Sequence, residues 1–370
     1  MERIILYKYF NNEASEVEIE AVYAWIAADS EHKREFIRLK IAWALTAEEP
    51  MDAATLKAYR PQLPTKKKKT KLWQYAAILV LLLGGALTWY ITRTPGMPTA
   101  TPEVVLALPD AATYTLQDSG ITQITTASGI PLAQASGGQL DYSQQAEGNT
   151  QMQQYLKVPY GKTYKVVLAD GTRVHLNAGS SLRFPNVFAD SIRVVQLSGE
   201  GFFEVAKNAE KPFKVLAGPM TIAVLGTRFN VEAYPDTQHI TATLEEGSVL
   251  VEALNSKEGL RLVPGEMAYY HTATQQLSKQ QVEVAPKIAW IYGELMLNDT
   301  PSAQLFKTLE RHYNVQIINR YTQLGQQSFS GTLKLDVPIE DLLQLLQLDT
   351  AFEYHIEDNN ITITKPNTIN

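Results

Sequence analysis

Residues 164–176 read Tyr-Lys-Val-Val-Leu-Ala-Asp-Gly-Thr-Arg-Val-His-Leu. Apolar side chains alternate with polar ones on both sides of Asp170-Gly171. Period two is the repeat of a strand, and Asp-Gly tolerates the positive φ of a tight turn, so the stretch predicts a β-hairpin. Upstream, Leu108, Asp110 and Leu116 repeat the spacing of Leu168, Asp170 and Leu176, which predicts a second, related hairpin.

Downstream the same period continues. Strand-like runs cover Ile192–Leu197, Phe202–Ala206, Phe213–Leu216, Thr221–Leu225, Phe229–Ala233, Ile240–Leu244 and Ser248–Glu252. Ser198-Gly199-Glu200-Gly201, Glu246-Gly247 and Pro264-Gly265 read as turns between them. Many short strands predict an all-β barrel, sandwich or stacked sheet over 104–285.

Four stretches of this region, 168–185, 197–215, 224–234 and 262–270, resemble the successive motifs of the FecR family, in the family's order. His175 stands where the family often carries an aromatic residue. FecR proteins are inner-membrane regulators, mostly anti-sigma factors, of extracytoplasmic-function sigma factors. The resemblance implies a cytoplasmic sigma-binding domain, one membrane span and a periplasmic sensor.

The carboxyl-terminal segment, 286–370, changes pattern. Glu294–Leu297 reads as a strand, and Thr300 is the expected cap of a helix with Pro301 in its first turn. Leu305, Phe306, Leu309 and Tyr313 form the helix's apolar side. Gln316–Asn319 and Ser328–Leu335 are strand-like, Pro338 opens a leucine-rich helix, and a hairpin closes the chain around Asp358-Asn359-Asn360. The expected order is βαββαββ, a small α+β domain. It resembles the C-terminal companion domain of Bacteroidetes-type FecR proteins, similar to the secretin/TonB short N-terminal fold. That resemblance implies a partner, the periplasmic signalling domain of a TonB-dependent outer-membrane receptor. Strand addition at an open sheet edge is the physical route for such a contact.

Toward the amino terminus, Leu72–Thr92 carries no formal charge and predicts a transmembrane helix, since its helical rise of roughly 30 Å matches a bilayer core. Lys66, Lys67, Lys68, Lys69 and Lys71 form a basic juxtamembrane run, 66–71, before it. Lysines favour the cytoplasmic flank, which places residues 1–71 in the cytoplasm and 93–370 in the periplasm of a single-pass inner-membrane protein. A Pro-rich linker spans 93–103. In 1–65, Ser15-Glu16-Val17-Glu18 has the form of a capping box, and Ser30 offers a second helix start. The expectation is a small α-helical bundle of about three helices, whose Trp25, Phe36, Leu39 and Trp43 are candidate sigma-binding residues. The fold class expected for the whole chain is therefore a multidomain membrane protein: helical bundle, single transmembrane helix, all-β domain and small α+β domain.

Chemistry is sparse. The chain of 370 residues has no cysteine, which excludes disulfides, thiolate zinc sites and cysteine nucleophiles. Its six histidines show no metal-ligand spacing, and no GxSxG, Walker A or GxGxxG motif occurs, so no metal, cofactor or conventional enzyme activity is expected. Apart from the juxtamembrane run no basic patch appears, so no direct nucleic-acid partner is expected. One bond stands apart. The Thr227 hydroxyl could attack the Gly226 carbonyl if the backbone there were strained, giving self-cleavage; the plainer reading is a glycine turn before a strand. Gly84-Gly85 is a weak point in the apolar stretch that an intramembrane protease could exploit. The alternative to a sigma regulator is a membrane-anchored periplasmic module that binds a ligand or glycan directly.

Overall fold

The computed structural model describes residues 3–10, 14–28, 32, 36, 103–109, 112–117, 119–143, 151–254 and 259–366. The chain divides into two compact units, Met1–Pro95 and Gly96–Asn370.

In the first unit, helices Arg3–Phe10 and Glu16–Ala28 are described. The capping box forms reciprocally. Glu18 Oε2 accepts from the Ser15 amide at 2.8 Å, and the Glu18 amide donates to Ser15 Oγ at 3.4 Å. The Lys8 ammonium, with these Ser15 bonds, holds the Glu18 carboxyl down at about 2. Leu6, Val22 and Phe36 are buried, and Ile5, Tyr9 and Trp25 pack on them.

The expected fold class is corrected by these residues. In place of a bundle of about three helices, the described residues give two short helices whose Leu6 and Val22 are buried together with Phe36. No helix among the described residues is long and apolar enough to cross a membrane, and the stretch 72–92 lies outside them. The molecule described is mostly β, because its apolar residues are spread at period two through many strands.

The second unit carries eighteen linked strands that fall into two sheets. The strand Arg193–Glu204 belongs to both. Its first part pairs with Ser181–Pro185 and Phe213–Ala217, and its last part with Arg173–Leu176 and Arg228–Ala233. Gly199 marks the crossing, at φ 98°; a Cβ there would lie 2.6 Å from Ser180 Cα. The stretch Ser198–Gly201, expected as a turn, is instead where one strand bends from sheet to sheet. The inner faces meet in an aromatic cluster. Phe203 stacks on Phe229 at 5.2 Å and lies 6.3 Å from Phe213, all three fully buried.

The opening hairpin forms as Tyr164–Val167 against Arg173–Leu176. Leu168 N–H donates to the Thr172 carbonyl at 2.9 Å, and the Leu108 amide makes the equivalent bond to Ala112 at 2.9 Å. The internal repeat is thus two copies of one hairpin. Asp170 accepts from the Thr172 amide and hydroxyl, and from Arg193 Nη1 at 2.6 Å. Arg193 is buried over the Phe213 ring and donates also to the carbonyls of Ala206 and Lys211. One guanidinium thereby ties the hairpin turn to a strand end and a loop.

The carboxyl-terminal lobe runs strand Glu294–Pro301, helix Ser302–Tyr313, strand Gln316–Asn319, short helix Thr322–Gly325, strand Ser328–Lys334, helix Ile339–Gln347, then strands Glu353–Glu357 and Asn360–Thr364. Its order is βαβαβαββ, with Thr322–Gly325 added to the expected elements. The first helix begins one residue later than expected. Pro301 is the N-cap, and Thr300 Oγ1 accepts from the Asn298 amide within the preceding strand. The core centres on Leu305, Leu309, Leu343, Ile361 and Ile363.

Candidate functional site: the cleft between sandwich and lobe

A cleft of about 490 Å³ opens where the lobe meets the β sandwich. From the sandwich it is lined by Asn177, Glu200, Glu232 and Tyr234, from the connecting segment by Lys287 and Trp290, and from the lobe by Arg311. Strand geometry places the first group. Glu200 lies directly across from Glu232 in the ladder, and Asn230 is two residues along on that neighbouring strand. Asn177 follows the strand that pairs on the other side, so all converge at one sheet end.

Glu200 Oε2 accepts from Asn177 Nδ2 at 2.8 Å, and Oε1 from Asn230 Nδ2 at 2.9 Å. The orientation of both amides is set by their far sides. Asn177 Oδ1 accepts from the Ala178 amide, and Asn230 Oδ1 accepts from the Trp290 indole N–H at 3.3 Å. A directed chain, Trp290 to Asn230 to Glu200, therefore links the connecting segment to the long shared strand. Burial, then the negative charge of Glu232, push the Glu200 carboxyl up to about 7; the amide bonds and Lys287 oppose the shift.

A second tie uses Arg311. Its Nη2 donates to Asp236 Oδ1 at 2.7 Å, and its guanidinium lies 3.8 Å over the Tyr234 ring. The Tyr234 hydroxyl donates onward to the Ala178 carbonyl, and the Arg311 carbonyl accepts from the Gly161 amide. The lobe is thus held to the sandwich by charge, ring and backbone together. The chemistry available in the cleft is proton holding at Glu200 and hydrogen bonding by amides and carboxylates.

The sequence-derived candidates lie elsewhere. Gly226 and Thr227 join strands Met220–Val224 and Arg228–Ala233 and do not line the cleft. Gly226 packs on Lys207, whose Cα would lie 2.8 Å from any Cβ at this position. Thr227 is buried, and its hydroxyl donates to the Ser248 carbonyl at 3.2 Å, an oxygen that takes no proton. Trp25 is half-buried, with its carbonyl 3.1 Å from His32 Nδ1, and Phe36 is buried against Tyr9. Leu39, Trp43, Gly84 and Gly85 lie outside the described residues. His175, at the position where the family often carries an aromatic residue, is half-buried, edge-on to Phe202 and 3.3 Å from the Glu204 carboxylate. Among the described residues no group of histidines and carboxylates is arranged to hold a metal.

Glu200, Asn230, Trp290 and Arg311 escaped the sequence reading. Glu200 sits between glycines that read as a turn, and only the bend at Gly199 shows that it is a strand residue aimed at the lobe.

Residues 154–250 match the family described as FecR protein, and residues 294–363 match the one described as FecR, C-terminal. Two crystal structures of a candidate anti-sigma factor from Parabacteroides distasonis ATCC 8503 are similar to this chain at 31% identity and a TM-score of 0.53. The likeness covers 57% and 58% of this chain and 99% of each of those. The chain belongs to the FecR family. No curated protein matches it.

Proposed function

We propose that the protein is an anti-sigma regulator that holds an extracytoplasmic-function sigma factor through its N-terminal helices. In this reading it works at the inner membrane, with residues 1–71 on the cytoplasmic side and 93–370 in the periplasm. The signal comes from a TonB-dependent outer-membrane receptor and is received by the carboxyl-terminal lobe. Membership of the FecR family and likeness to a candidate anti-sigma factor support the regulatory role.

The observation that carries the relay is the chain Trp290–Asn230–Glu200, reinforced by Arg311–Asp236. A partner that binds the lobe more tightly in one docking state than another shifts the equilibrium between them, and only differential binding can do so. One tie joins the connecting segment to strands of the sandwich and the other joins the lobe's first helix to the sandwich turn at Asp236, so loss of docking is felt there directly.

The experiment pairs the full chain with the cognate receptor and sigma factor in a transcription reporter. Inducer is expected to raise reporter output with the wild-type chain. Trp290→Ala with Arg311→Ala is expected to uncouple output from inducer while sigma binding persists. Unchanged induction in that variant contradicts the relay.

The volume of the cleft and its amide and carboxylate lining favour a second reading, direct capture of a small polar ligand or glycan fragment. Titration with such compounds, followed by Trp290 fluorescence, separates the two.

A further inference from the structure

The lobe's three-stranded sheet has Asn360–Thr364 in its middle, Gln316–Asn319 parallel on one side and Glu353–Glu357 antiparallel on the other. Its two edges differ. On the Gln316–Asn319 side, the amides of Gln316 and Arg320 donate inward, to the carbonyls of Asn359 and Ile363. Ile317 therefore points its amide outward, and that N–H is already taken: it donates to Glu310 Oε1 at 2.7 Å. Glu310 is buried and held by Lys307 at 2.8 Å. A fixed carboxylate thus closes this edge to another strand.

On the Glu353–Glu357 side, the backbone groups of Tyr354 and Ile356 meet no such closure among the described residues. The carbonyls of Asn359 and Ile363 face Gln316–Asn319, so the alternate residues Asn360, Thr362 and Thr364 bond to Glu357, His355 and Glu353. Tyr354 and Ile356 then turn their backbone N–H and C=O outward. Their side chains are half-buried on the lobe's core, so the edge is anchored, while Glu353, His355 and Glu357 project exposed on the other face.

We infer that this edge is where the lobe receives its partner, by accepting an extended segment with lysine or arginine at alternate positions. The main-chain groups of Tyr354 and Ile356 supply the ladder, and the cationic side chains meet Glu353 and Glu357 across it. A second copy of the chain is a poor occupant, because antiparallel self-pairing centred on His355 sets Glu353 against Glu357 of the copy. The inference rests on the reading that the lobe receives the signal.

The test uses the full chain and two labelled ten-residue peptides, one alternating lysine with threonine and valine, the other glutamate in place of lysine. The lysine peptide is expected to bind and to slow hydrogen exchange at the amides of Tyr354 and Ile356. Glu353→Lys with Glu357→Lys, both exposed, is expected to weaken it by about tenfold and to improve the glutamate peptide. Ile356→Pro removes one outward N–H and is expected to abolish binding of either. Equal binding of both peptides, protection elsewhere, or no binding overturns the edge assignment. The reporter assay on the same Glu353/Glu357 variant keeps the two ideas apart. Peptide binding without receptor response defeats the receptor reading alone, whereas normal induction in that variant defeats the edge.

Discussion

Asp170 and Arg193 are the pair on which the sandwich's geometry turns. The guanidinium is buried, and Asp170 is its only carboxylate partner among the described residues. Removing one member of a buried pair leaves the other uncompensated. Asp170→Ala is therefore expected to lower unfolding stability by about 3 kcal/mol, read from the midpoint of a urea titration. Glu200 makes stability depend on pH. Its folded value of about 7 lies above the 4.5 of an ordinary glutamate, so the folded chain keeps a proton that the unfolded chain releases. Stability then falls as pH rises through that window, and Glu200→Gln flattens the dependence. Thermal unfolding from about pH 5 to about pH 8 checks this, and an equally steep fall in the variant contradicts it. Thr227 is expected to be inert, because its hydroxyl is spent on the Ser248 carbonyl. Expression in a native-type host should yield an intact chain; two fragments split near residue 226 that vanish in Thr227→Ala would overturn this.

At the scale of elements, the hairpin around Asp170-Gly171 was legible because alternation and turn chemistry coincide in thirteen consecutive residues, 164–176. Its upstream copy was legible from three matched positions, and the two shared amide bonds, at Leu108 and Leu168, explain why the match survives. The start of the lobe's first helix slipped by one residue, because the strand's pairing of Pro301 with Ser328 outweighed the local capping preference of Thr300. The cleft was not legible. It depends on Gly199 bending a strand between sheets and on Arg311 and Trp290 reaching residues far away in the chain, and neither leaves a periodic trace. Docking through those two side chains has a measurable consequence. Trp290→Ala with Arg311→Ala is expected to separate the melting of the lobe from that of the sandwich in a calorimetric scan. A single unchanged transition would mean that the backbone contact at Gly161 suffices.

On the scale of the whole molecule, weight shifts from helix to sheet. The fold class expected from the sequence is corrected to a mostly β body among the described residues, whose helices are few and short. The family was legible in the motifs along 168–270, and the FecR match over residues 154–250 and the 31%-identical crystal structures bear that family out. The proposed relay between lobe and sandwich rests on side-chain geometry alone. The central claim is that the N-terminal helices hold a sigma factor, and co-purification from cells expressing the full chain with its cognate extracytoplasmic-function sigma factor tests it most directly. The account predicts a retained complex, a silent sigma-dependent promoter, and loss of both when Trp25 and Phe36 are replaced by alanine. A sigma factor that neither co-purifies nor falls silent in the presence of the wild-type chain would contradict it.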